Sequence, residues 1–468
     1  RYQGGGSSHI NATHTPNAVD SLMQAGYSVT YLPGYNSLTD KVDIKLEHEI
    51  ISNVSSLTKN NSDIPVLFFG GLPDSFEGEG YDRTTMEIPQ NQISLLNKIY
   101  AINKNIILVN ISGAPVEMPF VEKTRAILHM YLGGQGVDEA VAKIISGAVN
   151  PSGKLAETFP LKLSDTPCFN YFGKGYDIEY RESLFVGYRF YSSYKRPVLF
   201  PFGHGLSYTT FQYSDGAIWH EGIQTTSIDG KSSHTPKVSF MMKNIGKVEG
   251  KEVAQVYIKN PKGNFLRSEI ALVGFQKIEL DSEEEKLVTI PLSEKAYKIW
   301  DEVKHDFIPV PGEYELLIGS SVSDIRITLK FNVSAPEYNR DDRELLKEFF
   351  NQKEGGSDIS LDISREQFRV LYGKDLSDFN NIKRGEFSKY NSLEQLSKKS
   401  FLAKIFLKIS LKIASNSINK NHKNKNDPNM KMVIQMVKEA PVETIVNFSG
   451  GKFEQRFVNM IIKSANKK

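Results

Sequence analysis

The hydrophobic pattern changes its period along this chain of 468 residues, and this change limits the possible folds more than any other feature. From 1 to about 212, short apolar runs alternate with amphipathic segments, as a layered α/β domain requires. The pattern predicts strands at Ser28–Pro33, Ile64–Gly70, Asn105–Ile111 and Ala126–Met130, and helices near Pro16–Gly26, Asp43–Ser56, Gln90–Asn103 and Gly136–Ser146. We expect a mainly parallel sheet covered on both faces by helices. The sheet is partial at its N-terminus, because RYQGGGSSHI has the composition of a loop that follows a strand.

From about 213 to 335 the period becomes two, which is the repeat of a half-buried strand. The predicted strands are Lys237–Asn244, Glu252–Lys259, Leu287–Leu292, Tyr314–Gly319 and Ile325–Val333. Turn-forming segments such as NIGKVEGKE and PVPGEYEL separate them. About seven short strands in a segment of this length predict an antiparallel sandwich. We interpret this segment as a packing and stabilising module with no chemistry of its own.

Residues 336–468 are rich in lysine and helical in pattern, and they form the third predicted domain. The segment 419–429, NKNHKNKNDPN, has the composition of a solvated linker. Helices near Met430–Glu439 and Phe453–Ser464 follow it, and we expect them to complete a small bundle.

The first long helix of this tail has a start signal and an apolar face. Ser392 and Gln395 have the spacing of a capping box. Apolar residues then recur with lysines between them: Phe401, Ile405, Phe406, Ile409 and Ile413. Two interpretations are open for this face. It docks onto the preceding domains, which we favour because surface helices of this kind are common, or it binds a membrane surface.

An acidic loop punctuated by glycines, SFEGEGYDR at 75–83, follows the second predicted strand. Open α/β sheets place their sites beyond the carboxyl ends of their strands, so this loop is suited to present a carboxyl group to a ligand. Glu77, Glu79 and Asp82 are the candidates. The glycines on both sides of Glu79 let another molecule approach closely, which favours Glu79 as a proton donor. By spacing alone, an ordinary solvated acidic turn is the commoner explanation.

Two glycine-rich segments and one histidine are weaker candidates. GGGSS near the N-terminus lacks the lysine and the spacing of a phosphate-binding P-loop. YLGGQG at 131–136 precedes a predicted helix, and we interpret its glycines as forming a tight turn. His204 lies between two glycines with no acid or nucleophile beside it in the sequence, so we predict a hydrogen-bonded structural histidine.

Several motifs follow the acidic loop in order, and together they are far more specific than the loop alone. EGYDR continues into IILVNISGAPVEM, ILHMYLGGQG, NPSGKLAETFP and FPFGHGLSYTTF. This order resembles the C-terminal portion of glycoside hydrolase family 3. The resemblance implies an α/β sandwich domain at 1–212, a fibronectin type III-like domain at 213–335 and a helical extension at 336–468. It also implies a retaining, exo-acting, β-glucosidase-like activity on oligosaccharides or glycosides, with glucose, xylose and arabinose all open as the terminal sugar.

The resemblance also assigns roles within the loop. In the family the glutamate before GYDR is the usual acid/base, which makes Glu79 the general acid/base and Glu77 its nearest competitor. We expect Arg83 to orient the loop by pairing with a carboxylate or the backbone, and Asp82 to fix it as a hydrogen-bond acceptor. The family carries its nucleophile, an aspartate, in a (β/α)8 barrel that precedes the sandwich. We expect that barrel to be a missing part of the same polypeptide, since 336–468 is too short to form one, and we expect this chain alone to be inactive.

Composition limits the partners. The acids and bases nearly balance, giving a net charge of +2, so we expect no nucleic-acid partner. Cys168 is the only cysteine, which excludes an internal disulfide and a cysteine-based metal cluster. Two carboxyls need neither a metal nor an organic cofactor. No stretch is long and apolar enough to predict a spanning helix, so we expect no stable membrane insertion.

The setting of the protein is predicted more loosely. We expect a bacterial protein in the cytoplasm, able to form a homo-oligomer, with the true N-terminus and any targeting segment upstream of Arg1. A second hypothesis is a noncatalytic carbohydrate-binding or scaffold protein derived from such an enzyme. The intact EGEGYDR segment argues against that alternative.

Overall fold

The apolar runs of the N-terminal region form a three-stranded parallel sheet. The computed structural model describes residues 2–5, 9–61, 63–356, 360–378, 380–419, 428–448 and 454–467. In chain order the strands are β1 (Val66–Gly71), β2 (Ile106–Ile111) and β3 (Ala126–His129), and the helices are α1 (Ala18–Gln24), α2 (Ile44–Thr58), α3 (Gln90–Ile102) and α4 (Val137–Ile145). The predicted parallel sheet is confirmed, and each predicted helix is present with shifted ends.

Local chemistry sets where these helices begin. The Asn17 side chain accepts the Val19 N–H at 3.1 Å at the start of α1, and Asp43 accepts the Leu46 N–H at 3.1 Å at the start of α2. Such caps satisfy backbone donors that have no partner within the helix. YLGGQG forms the predicted tight turn before α4, with Gly134 at φ +71°.

Ser28–Pro33 does not form a strand, so this prediction is wrong. The chain between α1 and α2 is irregular. Tyr31 is 69% exposed, and Val29 and Leu32 are only partly buried. The alternating apolar residues therefore cover no core. Strand propensity largely reflects packing on a half-buried pleated surface, and this segment lacks that support.

Two reciprocal hydrogen bonds between Gly71 and the Gln92 side chain mark the end of β1, where the following loop begins. Gln92 of α3 accepts the Gly71 N–H at 2.8 Å and donates to the Gly71 carbonyl at 2.9 Å. A side chain at position 71 would place its Cβ 2.1 Å from the carbonyl oxygen of Ile111, and φ is +127°. Only glycine fits there. The chain leaves the sheet at this point.

The period-two region forms an antiparallel sandwich, as predicted. Its strands are β4 (Phe211–His220), β5 (Ile223–Gln224), β6 (Ser227–Asp229), β7 (Lys237–Asn244), β8 (Gly250–Lys259), β9 (Ile270–Leu280), β10 (Glu285–Pro291), β11 (Lys298–Asp301), β12 (Asp306–Pro309), β13 (Gly312–Gly319) and β14 (Ile325–Ser334). One sheet has the order β10-β7-β4-β5 and the other β6-β14-β13-β8-β9, while β11 and β12 form a separate hairpin. The strand pairs are antiparallel except β6 with β14, which is parallel. Val238, Phe240 and Met242 alternate into the core along β7.

Two long strands, β4 and β9, were not predicted, because bulges interrupt their period-two pattern. The pairing of β4 with β7 shifts between Ser214 and Ala217, and the pairing of β8 with β9 shifts between Val256 and Tyr257. A bulge inserts an extra residue and breaks the strict alternation of side chains.

The chain divides into two compact units that do not follow the linear order of the predicted domains. One comprises Arg1–Ala142, Gly173–Ile178 and Leu376–Lys468, and the other comprises Lys143–Phe172 and Glu179–Asp375. The second unit contains the sandwich and the short helices α5 (Tyr188–Ser193), α6 (Lys347–Phe350) and α7 (Arg365–Tyr372). These helices share a core made of Phe185, Phe190, Tyr191, Tyr194, Leu346, Phe349, Leu361 and Ile363. The boundaries at 212 and 335 stay predictions.

The rest of the tail forms the predicted small helical bundle, within the first unit. Its helices are α8 (Leu393–Ser397), α9 (Phe401–Asn419), α10 (Pro428–Glu439), α11 (Val442–Phe448) and α12 (Gln455–Asn466). The capping box is present: the Ser392 hydroxyl accepts the Gln395 N–H at 3.2 Å, and the Gln395 side chain accepts the Ser392 N–H at 2.8 Å. Most of the predicted linker, 420–427, lies outside the described residues, as does Phe453.

The apolar face predicted for α9 does not dock as expected. Phe406 is buried in the bundle, but Phe401 is 79% and Ile413 is 54% exposed, and Ile405 and Ile409 are exposed as well. Of this predicted face only Phe406 enters the bundle core, where it is joined by Ala403 of the same helix. None of the described helices is long and apolar enough to cross a membrane.

We predict that Ser392→Ala lowers the local stability of the bundle by about 1 kcal/mol, because the Gln395 N–H loses its side-chain acceptor. Hydrogen exchange followed by mass spectrometry should show amides of α8 and α9 exchanging about fivefold faster. Ser397→Ala in the same helix is the matched control and should change exchange little. Equal exchange in the wild type and Ser392→Ala would contradict a stabilising capping box.

Candidate active site

The loop after β1 folds back on itself before the chain reaches α3. The Phe76 N–H donates to the Pro73 carbonyl at 2.9 Å, and the Tyr81 hydroxyl donates to the Asp74 carbonyl at 2.7 Å. These bonds shape the segment 73–81 into a compact turn beyond the carboxyl end of the strand. That is the edge of a parallel sheet at which ligand sites form.

The two glutamates of the loop occupy different environments. The Glu77 carboxylate is half-buried and accepts the N–H of Gly113, which follows β2, at 2.9 Å. Glu79 is exposed, between Gly78 and Gly80. Gly80 has φ +84°, a conformation that other residues rarely adopt. Glu77 therefore ties two strand ends together, whereas Glu79 presents its carboxyl at the surface of the turn.

Arg83 and Asp82 differ in how far they match their predicted roles. An Arg83 guanidinium N–H donates to the Pro115 carbonyl at 3.0 Å, which confirms that Arg83 orients the loop by bonding to the backbone. Asp82 is exposed and makes no hydrogen bond within the described part of the chain. The predicted role of Asp82 as a loop-fixing acceptor is therefore wrong, because its side chain points to solvent instead of to a backbone donor.

A buried polar network lies at the ends of β2 and β3, and the sequence did not indicate it. The Asn110 amide donates to the Ser112 hydroxyl at 3.1 Å and to His129 Nδ1 at 2.8 Å. The His129 ring also makes an edge contact with Tyr131, with ring centroids 4.1 Å apart. Burial lowers the pKa of His129 from 6.5 to about 4. The imidazole is therefore neutral near pH 7.

The helical tail reaches the acidic loop. Lys431 of α10 donates from Nζ to the Ser75 carbonyl at 3.0 Å, and its Nζ lies 5.5 Å from the centroid of the Tyr81 ring. A Cβ built on Gly80 would lie 2.6 Å from Cγ of Met432. Lys431 and Ser75 are 356 positions apart in sequence, and no local pattern could have indicated this contact.

His204 is packed as a structural residue, but the hydrogen bond predicted for its side chain is not present among the described residues. Its carbonyl accepts the Leu155 N–H at 2.8 Å, and its ring stacks on Phe200 with centroids 5.3 Å apart. Burial lowers the pKa of His204, and the nearby positive charge of Lys154 adds to that effect. Among the described residues, no group of three or more His, Cys, Asp or Glu side chains is arranged to hold a metal ion.

Comparison with known proteins agrees with this architecture. Residues 1–208 match the glycosyl hydrolase family 3 C-terminal domain, and residues 252–322 match the fibronectin type III-like domain. This is a glycoside hydrolase family 3 C-terminal region. The whole helical tail, including α10, lies outside both matched segments.

The relatives of this family 3 region are much longer proteins. Thermostable beta-glucosidase B of Acetivibrio thermocellus is 43% identical over 329 residues, which are 69% of this chain and 42% of the relative. An exo-alpha-(1->6)-L-arabinopyranosidase of Bifidobacterium breve is 37% identical over 331 residues, again 42% of its length. The crystal structure of a Bifidobacterium adolescentis family 3 beta-glucosidase aligns with a TM-score of 0.65 and 35% identity, covering 71% of this chain and 47% of that one. The chain thus spans less than half the length of these relatives.

We predict that His129 makes folding sensitive to acid. Since its folded-state pKa is about 4, well below its ordinary value near 6.5, the unfolded chain binds the proton first as the pH falls. The stability that depends on the neutral His129 imidazole is therefore fully present above pH 6.5. Between pH 6.5 and 4 the free energy of unfolding falls by up to roughly 3 kcal/mol because of this group.

Urea unfolding of the wild type and His129→Gln at pH 7.5, 5.5 and 4.5 would measure this effect. The variant should lose less stability than the wild type across the same interval. Identical pH dependence in the two proteins would mean that His129 is not the group responsible.

Proposed function

We propose that this chain supplies the general acid/base, Glu79, of a retaining, exo-acting β-glycosidase that releases terminal sugars from oligosaccharides or glycosides. One observation carries the proposal: Glu79 is exposed between two glycines at the carboxyl end of a parallel strand. Its competitor Glu77 is engaged by the Gly113 N–H. A carboxylate that holds two loops together is less suited to meet a substrate.

The proposed reaction has two steps. In the first, a carboxylate nucleophile attacks the anomeric carbon while the glycosidic C–O bond breaks and Glu79 gives its proton to the departing oxygen. In the second, Glu79 takes a proton from water, which attacks the glycosyl-enzyme and releases the sugar with its configuration retained. An acid that works near neutral pH needs a raised pKa, which bound substrate provides by excluding water.

The nucleophile must lie about 5 Å from the acid, on the other side of the sugar. We assign it to a (β/α)8 barrel of the same polypeptide, so that this chain alone does not turn over substrate. The relatives support this assignment, since the chain spans only 42% of both the Acetivibrio thermocellus and the Bifidobacterium breve proteins.

The barrel would also select the sugar. The relatives include proteins named as a beta-glucosidase and an exo-alpha-(1->6)-L-arabinopyranosidase, 43% and 37% identical to this chain. Similar C-terminal regions thus accompany different named activities. The proposal therefore leaves the sugar open.

The proposal extends to the setting of the polypeptide: a bacterial, cytoplasmic enzyme able to form a homo-oligomer, of which this chain is one portion. The single cysteine is compatible with a reducing compartment. Light scattering of the purified polypeptide would measure its mass and test the oligomer.

We predict that Glu79→Gln, in the polypeptide extended upstream through its native reading frame, slows hydrolysis of β-glycosides with poor leaving groups by at least about 100-fold. Glycosides with a good leaving group, such as 2,4-dinitrophenolate, depend little on protonation and should lose less in the first step. Azide should partly restore turnover, because it attacks the glycosyl-enzyme without a general base. Steady-state kinetics across a series of leaving groups would measure both effects.

Glu77→Gln is the matched control in the same loop. The glutamine amide oxygen can still accept the Gly113 N–H, and the proton donor stays in place, so any loss of activity should be small and similar for every leaving group. If Glu79→Gln instead loses the same factor with every substrate and azide restores nothing, Glu79 is not the acid/base.

A further inference from the structure

We propose that Lys431 and Met432 of α10 are positioning residues for the acid/base loop, and that the helical tail forms part of the active site on the side of the leaving group. This inference rests on the proposed role of Glu79. It assigns a task to a part of the chain that lies outside both matched family segments.

The contacts of α10 fall on both sides of Glu79. Before it in sequence, the Lys431 ammonium donates to the Ser75 carbonyl at 3.0 Å. After it, Lys431 lies beside the Tyr81 ring and Met432 packs against Gly80. The short segment that carries Glu79 is therefore bracketed by contacts with one helix. Contacts on both sides of a flexible segment reduce the conformations available to it.

Met432 fills the space that a side chain at position 80 would need. A Cβ there would meet Cγ of Met432 at 2.6 Å and its Cβ at 3.3 Å. Gly80 thus has two structural reasons to be glycine: its positive φ and the close approach of α10. Moving Met432 would release the peptide that directly follows Glu79 and change the direction of the carboxyl group.

The position of α10 is in turn fixed by the tail. Met430, at the start of the helix, is buried. The tail is also bound to the segment 173–178, where the Tyr176 hydroxyl donates to the Glu394 carboxylate at 2.9 Å and the Tyr176 N–H donates to the Asn380 side chain at 2.9 Å. Within the tail α10 packs against α8 and α9, so these bonds also anchor the helix that contacts the loop to the rest of the first unit.

The chemistry of the reaction decides which part of a substrate lies near this helix. A general acid protonates the oxygen of the departing group, so its loop borders the leaving group and not the sugar that is retained. Met432, the Tyr81 ring and the Lys431 ammonium then line that border. Methionine adapts to varied apolar shapes, and a lysine ammonium can donate hydrogen bonds to hydroxyl groups. The tail thus helps to select the leaving group.

The first test uses this chain as it is and needs no activity. Hydrogen exchange of the loop 73–83 should become about fivefold faster in Lys431→Met and in Met432→Ala, which corresponds to the loss of one ordinary contact. Lys438→Met and Met436→Ala are matched controls in the same helix and should leave the loop unchanged. Exchange in the loop equal to that of the wild type in both test variants would overturn the inference.

The second test uses the polypeptide extended upstream, which carries the proposed activity. Lys431→Met and Met432→Ala should lower kcat about tenfold for poor leaving groups and little for good ones, as expected when the acid is misplaced. Lys431→Arg keeps a donor for Ser75 and should recover most of the loss. A purely structural role would lower kcat equally for all leaving groups and would contradict the inference.

The two proposals fail in different ways. If Glu79→Gln has no effect that depends on the leaving group, the proposed function is wrong whatever the tail variants do. If Glu79→Gln behaves as predicted but the Lys431 and Met432 variants match their controls in both experiments, the role of the tail is wrong and that of Glu79 stands.

Discussion

The Glu77 carboxylate joins two strand ends of the parallel sheet, since it lies in the loop after β1 and accepts the Gly113 N–H after β2. The rest of the site follows from this bond. It commits one of two neighbouring glutamates to the scaffold and leaves the turn with Gly78 and Gly80 to present the other. The fit is close on both partners, because a Cβ at Gly113 would lie 2.9 Å from Glu77 Oε1. A side chain at position 113 would therefore displace the carboxylate that makes this bond.

The same loop is held from a second direction by Gly71 and Gln92. Their paired hydrogen bonds close the end of β1, and the tight approach of Gly71 to Ile111 fixes where the chain leaves the sheet. Preorganised geometry of this kind is what the proposed proton donor would need, because misplacement of about 1 Å can cost two orders of magnitude in rate. The sheet sets the origin of the loop, and α10 contacts its far end.

Local patterns in the sequence predicted the parts of the structure that depend on local chemistry. Asp43 at the start of α2, the Ser392–Gln395 capping box and the alternation along β7 all follow from residues close together in the chain. The strand predicted at Ser28–Pro33 is absent because burial, not propensity, decides whether a segment pairs as a strand. The proposed division of roles between Glu77 and Glu79 could be ranked from the motif, but the contact that supports it, the Gly113 N–H to Glu77, joins two separate loops. The contact of Lys431 with Ser75 joins segments that are far apart in the chain, and the local sequence of neither segment predicts it.

The central claim is that this chain carries the acid/base half of a site whose nucleophile lies elsewhere in a longer polypeptide. The most direct measurement is hydrolysis of 4-nitrophenyl β-glucoside and β-xyloside by this chain alone and by the chain extended upstream through its native reading frame. The account predicts turnover by the extended polypeptide only. Turnover by the short chain would place the nucleophile within these 468 residues and contradict the account.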